Sequence, residues 1–174
     1  MAYLVLAYPK ISKSDYGWIQ DVREKEDKRY FGVVEPHFTI VFGTAKLDLD
    51  EFTAHVKEKT QNFKTFDMIL DSTKIVKDDF QDIYHAFLIP SQGNNEITTL
   101  HDVLYTGVLA SELREDLSYI PHVGIGTNQD KRPLEELVKQ FNATNRKIIG
   151  SISELTIVGY DGAKVADLKT IPFK

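Results

Sequence analysis

Two histidines stand in matching surroundings, Pro36-His37-Phe38-Thr39-Ile40-Val41 and Pro121-His122-Val123-Gly124-Ile125-Gly126, 85 positions apart (122 − 37). Imidazole is the side chain whose ordinary pKa lies nearest neutrality, so a pair can divide proton transfer, one ring accepting and the other donating. Each copy reads as a short strand opened by proline, which has no N–H to give and suits a strand's first residue or an edge. Alternation along a strand puts His37, Thr39 and Val41 on one face, and His122, Gly124 and Gly126 on one face of the second copy. A small substrate lying between the two strands would meet both rings. Thr39, about 7 Å from His37 along the strand, adds a hydroxyl able to hold a phosphate oxygen. Gly124 has no hydroxyl but permits close approach of the backbone. Thr127, the next hydroxyl downstream, reaches that face only if a bulge at the glycines shifts the alternation.

Positioning these residues requires strands, and strands require a core. Leu4 to Pro9 reads as a first strand, and Ser14 as the cap of a helix whose inner face is Trp18, Ile19 and Val22. The mixed-sign run Arg23 to Arg29 reads as a solvated helix face. The first motif strand spans Pro36 to Phe42. Asp48 and Glu51 have capping-box spacing ahead of a helix that ends near Thr60, with Phe52 and Val56 inward. Strands follow at Phe66 to Val76 and Ile83 to Ile89, joined by an acidic turn at Asp78-Asp79. Ile97, Leu100, His101, Leu104, Tyr105 and Val108 recur at helical spacing. The second motif strand runs from Tyr119 to Thr127, and Pro133 suits the first turn of a further helix. Asp161-Gly162 marks a closing hairpin that ends near Phe173. The recurrence of strand, helix, motif strand and helix predicts an α+β fold. It consists of two pseudo-twofold-related lobes, with antiparallel or mixed sheets around a central groove and helices outside. Residues 1–174 are expected to form a single domain, with the lobes meeting near residues 78–82. His101 on its apolar helix stripe and His85 on its strand read as core or boundary residues, and His55 borders a helix face.

Composition narrows the classes of function. With 42% hydrophobic and 27% charged residues the chain has material for a core and no signature of disorder. No apolar run approaches a membrane span, and the first residues lack the basic flank of a signal peptide, so a cytoplasmic protein is expected. The absence of cysteine excludes disulfides, thiolate metal sites and a cysteine nucleophile. The net charge of −5, without a basic stripe, argues against an extended DNA duplex as partner. A nucleic-acid substrate would be handled at an end or as a small fragment. No His-x-x-x-His spacing or carboxylate signature marks a metal site, and neither a metal nor a cofactor is expected.

His37-Phe38-Thr39-Ile40 and His122-Val123-Gly124-Ile125 resemble the signature of the two-histidine phosphoesterase superfamily, a pair of His-x-Ser/Thr-x motifs. That superfamily contains RNA 2',3'-cyclic phosphodiesterases and 2'-5' RNA ligase-like proteins. The first copy fits fully, whereas Gly124 replaces the second hydroxyl. The segment Leu4 to Pro9 is similar to the family's first strand, and Ile152 to Phe173 to its closing hairpin. The resemblance implies metal-independent hydrolysis of a cyclic phosphate, on a small nucleotide or an RNA 3' end, leaving a 2'-phosphate. The resemblance also implies a reversible 2'-5' ligase activity. His37, Thr39 and His122 are then the expected catalytic residues. Gly124, with Tyr119 and Tyr8 as base-stacking rings, is expected to contact substrate. The rival expectation is a non-catalytic module that binds a nucleotide or RNA end, its chemistry weakened at Gly124.

Overall fold

The computed structural model describes all residues, 1–174, as two antiparallel sheets with four α-helices packed against them. One sheet consists, from edge to edge, of β3 (Phe38–Thr44), β1 (Ala2–Ala7), β8 (Glu154–Tyr160) and β9 (Val165–Pro172). The other consists, in the same sense, of β2 (Lys10–Ile11), β7 (Ile148–Ile152), β4 (Phe66–Lys77), β5 (Tyr84–Gln92) and β6 (Val123–Asn128). Helices α1 (Lys13–Glu26) and α4 (Lys131–Ala143) cover the second sheet, while α3 (Asn94–Leu104) packs on β3 and against α2 (Leu49–Thr60). One continuous cluster of 26 buried apolar residues, drawn from both sheets and all four helices, fills the interior.

Local chemistry accounts for the element boundaries. Ser12, not Ser14, caps α1, accepting the Asp15 N–H at 3.0 Å. The capping box of α2 forms in both directions: Asp48 accepts the Glu51 N–H at 2.9 Å, and Glu51 accepts the Asp48 N–H at 3.3 Å. Helix α3 stops at Leu104, short of the expected Val108, because Gly107 turns left-handed at φ 58° and the chain continues as a 3-10 turn over Gly107–Glu112. Gly93, ahead of α3, has φ 85°, and a side chain there would meet Met68 Cβ at 2.9 Å. The strand Ile148–Ile152 has no counterpart in the sequence reading. Its short run alternates poorly, with Ile149 turned to solvent, and its place is fixed by pairing with β4.

Residues 78–82 form the turn between β4 and β5 within one sheet, so the lobes do not meet there. Each lobe instead takes strands from both halves of the sequence. The symmetry is visible where it matters for the site. Each motif strand is the edge of its own sheet, and each begins one residue after its histidine.

Candidate active site

Both motif strands carry a bulge at the same position relative to the histidine. In the pairing of β1 with β3, Leu6 faces Thr39 and Val5 faces Val41, which leaves Ile40 as the extra residue. In the pairing of β5 with β6, Phe87 faces Gly124 and Ala86 faces Gly126, which leaves Ile125 extra. A bulge resets alternation, so the faces differ from those of a regular strand. Val41 is fully buried, not on the groove face, and a Cβ on Gly126 would point at Leu134 Cδ2, 2.8 Å away in the core. Phe42 and Thr127, one residue further on, turn to the groove instead. The cross-strand partner of Thr127 is His85, which shares its face with Phe87. The groove between the edges has a volume of about 630 Å³ and is lined by His37, Thr39, His122 and Gly124 together.

The two histidines are held alike. Nδ1–H of His37 donates to the carbonyl of Glu35 at 2.7 Å, and Nδ1–H of His122 donates to the carbonyl of Ile120 at 2.6 Å. A carbonyl only accepts, so each clamp fixes the tautomer and leaves Nε2 as the free nitrogen. Burial pushes the pKa of His37 down to about 4 from the usual 6.5, against the opposing effect of the Glu35 carbonyl, with the Arg23 charge lowering it and that of Asp27 raising it. Burial likewise brings His122 down to about 4, opposed by the Ile120 carbonyl and aided by His37 and His85. Both rings are therefore neutral at pH 7 in the free protein. Phe87 stacks on His122 with centroids 3.6 Å apart and fixes the ring plane.

Behind the motifs lies a buried network. Arg23 and Asp27, each 2% exposed, form an i,i+4 ion pair at 3.6 Å. The guanidinium donates to the carbonyls of Val34 at 2.8 Å and Tyr30 at 3.2 Å, fixing the segment that leads into His37. Asp27 accepts the Thr127 hydroxyl at 2.9 Å, which ties the same helix to the second motif. Arg23 and Asp27 are thus interior residues, not part of the solvated face expected for the run Arg23 to Arg29. The signal was the spacing Ile19, Arg23, Asp27, which continues the inner stripe of α1 at four-residue intervals.

Gly124 borders the groove with open space on its side-chain side: no atom lies within 4 Å of where a Cβ would stand. Tyr119 is outside the groove lining; its hydroxyl donates to the Thr39 carbonyl at 2.9 Å and its ring stacks on His101 at 3.8 Å. Tyr8 lines an adjoining cavity, donates to Asp167 at 3.1 Å, and lies edge-on to His37 at 6.4 Å. His101 is buried, as its helix stripe predicts; His55, expected at the border of a helix face, is buried too, and its ring donates to the Leu104 carbonyl at 2.9 Å. His85, by contrast, lines the groove.

Residues 10–164 match the 2'-5' RNA ligase superfamily. No curated protein matches the chain. Among solved structures, TT0787 of Thermus thermophilus superposes with a TM-score of 0.66 at 14% identity, covering 99% of this chain and 98% of that one. E. coli LigT complexed with NADP+ gives 0.60 at 12% identity, with 99% and 97% covered. Kluyveromyces marxianus Usb1 gives 0.56 at 11% identity, with 99% and 98% covered. The fold is that of the two-histidine phosphoesterases, and by its match over most of its length the chain belongs to the 2'-5' RNA ligase superfamily.

Proposed function

We propose that the protein is a metal-independent phosphoesterase that opens a cyclic phosphate, on a small nucleotide or a 2',3'-cyclic RNA end. His37 and His122 act as its acid–base pair. The observation that carries the reading is the pair of identically clamped rings, each with Nε2 free, lining one groove of about 630 Å³. Membership of the superfamily supports a phosphoesterase or ligase-like activity. The structural neighbours include LigT with 3'-AMP and with ATP and Usb1 with uridine monophosphate, which supports a nucleotide as ligand.

In this reading one Nε2 takes a proton from water as the water oxygen bonds to phosphorus. The bond from phosphorus to one ribose oxygen breaks, and the other imidazole, protonated at Nε2, gives its proton to that oxygen. The product is a phosphate monoester and a free hydroxyl. Thr39 donates to a non-bridging oxygen as charge develops there. A bound phosphate anion favours the imidazolium form, which supplies the proton that two neutral rings lack. In ligation a 5'-hydroxyl takes the place of water: its oxygen bonds to phosphorus and its proton goes to one Nε2, while the bond from phosphorus to the 3' oxygen breaks and the other imidazole protonates that oxygen, leaving a 2'-5' phosphodiester. A cytoplasmic location is part of the same proposal.

Chelator-treated protein assayed on nucleoside 2',3'-cyclic phosphates and cyclic-phosphate RNA ends should release monoester product. Absence of turnover across that panel would refute the proposal. A second reading rests on Gly124: a groove that binds nucleotide phosphate without turning it over, because half of the hydroxyl pair is missing. Calorimetric binding with no product formed would select it.

A further inference from the structure

The groove holds a third imidazole that the proton-transfer scheme does not use. Nε2–H of His85 donates to Asp78 Oδ2 at 3.0 Å. Asp78 is itself fixed, since its Oδ1 accepts the backbone N–H groups of Phe80 and Gln81 at 2.8 Å each. Burial works against its carboxylate, but these bonds together outweigh that effect and hold the carboxyl below the usual range. The carboxylate sets the His85 tautomer with Nδ1 bare, the opposite arrangement to that of His37 and His122.

His85 does not act on the same atoms as His122. The Phe87 ring lies between them, stacked 3.6 Å from His122 and 5.7 Å from His85. With the phosphate between His37 and His122, as in the phosphoesterase reading, His85 faces the part of the ligand beyond it. The charged side chains that line the groove balance in number, Arg23, Arg29 and Lys77 against Asp27, Asp78 and Asp79, with Arg23 paired to Asp27. Such balance gives a second phosphate no net attraction. It suits a neutral group that brings hydrogen-bond donors to the acceptor Nδ1 of His85.

We propose that His85, oriented by Asp78, is a specificity-determining contact that accepts a hydrogen bond from the nucleoside part of the ligand, a sugar hydroxyl or a base amino group. The proposal rests on the phosphoesterase reading for the position of the phosphate. Calorimetry on wild type, His85→Ala and His85→Asn, with inorganic phosphate and with nucleoside 2'-monophosphates, tests it. Losing one buried hydrogen bond should weaken nucleotide binding by about tenfold in His85→Ala while phosphate affinity is unchanged. His85→Asn, whose amide oxygen can stand near the place of Nδ1, should keep most of the preference for nucleotide. Unchanged nucleotide affinity in His85→Ala would overturn the proposal and leave the phosphate groove standing. An equal loss for both ligands would assign His85 to anion binding or to the fold, and would also overturn it. Wild type that binds neither ligand would overturn both this inference and the function it rests on.

Discussion

At the scale of single residues, the site is a symmetric device with one element removed. Thr39 offers a hydroxyl in the first motif, and Gly124 leaves open space in the second. Thr127 reaches the groove face through the bulge, but its proton is already given to Asp27, so it does not replace the missing donor. Gly124→Thr should fit without displacing a neighbour and should raise kcat on a cyclic phosphate, by up to ~10²-fold if the hydroxyl acts as an oxyanion donor. A fall in kcat with the fold intact would show that the open space itself is used. The clamped histidines also predict how stability depends on pH. Their folded values of about 4 lie below the unfolded 6.5, so the unfolded chain binds protons first as the solution is acidified. Their contribution is complete above pH 6.5 and is lost as pH falls toward 4. Replacing both with Gln should flatten the melting temperature across that window, as scanning calorimetry at stepped pH would record.

At the scale of elements, the site depends on α1 as much as on the motif strands. Asp27 holds the Arg23 charge, the Thr127 hydroxyl and the Tyr30 N–H, the last at 3.3 Å. Asp27→Ala leaves a buried guanidinium without its counter-charge, so unfolding in urea should show a loss of about 3–5 kcal/mol. The transition should remain single, as expected of one domain. A loss below about 1 kcal/mol would mean that water enters the site and takes over the carboxylate's role. The motif strands, the capping box of α2 and the closing hairpin were legible in the sequence because each is local: a proline before a strand, an acid three residues from its partner, a glycine in a turn. The bulges were not legible, since Ile40 and Ile125 look like ordinary strand residues until the neighbouring strand sets the count. Arg23 and Asp27 were hidden for a related reason. Charged residues read as solvent-facing unless something buried is there to bind them, and the carbonyls of Tyr30 and Val34 belong to a loop without periodicity.

At the scale of the whole molecule, two sheets present their edges to one groove, and each edge brings one histidine clamped through Nδ1. The lobes are not halves of the sequence, because each sheet is assembled from distant segments, and this interleaving keeps the two edges in fixed relation. His85 entered the groove unannounced: its strand pattern predicted packing, whereas the register with β6 set it beside Thr127. The proposed function has His37 and His122 act as one acid–base unit. Its most direct test is kcat/KM on a nucleoside 2',3'-cyclic phosphate, in chelator, for His37→Ala, His122→Ala and the double variant. Residues that act as a unit are strongly non-additive, so each single change should remove most of the turnover and the second should cost little more. Losses that multiply, or a single variant that keeps wild-type turnover, would contradict it.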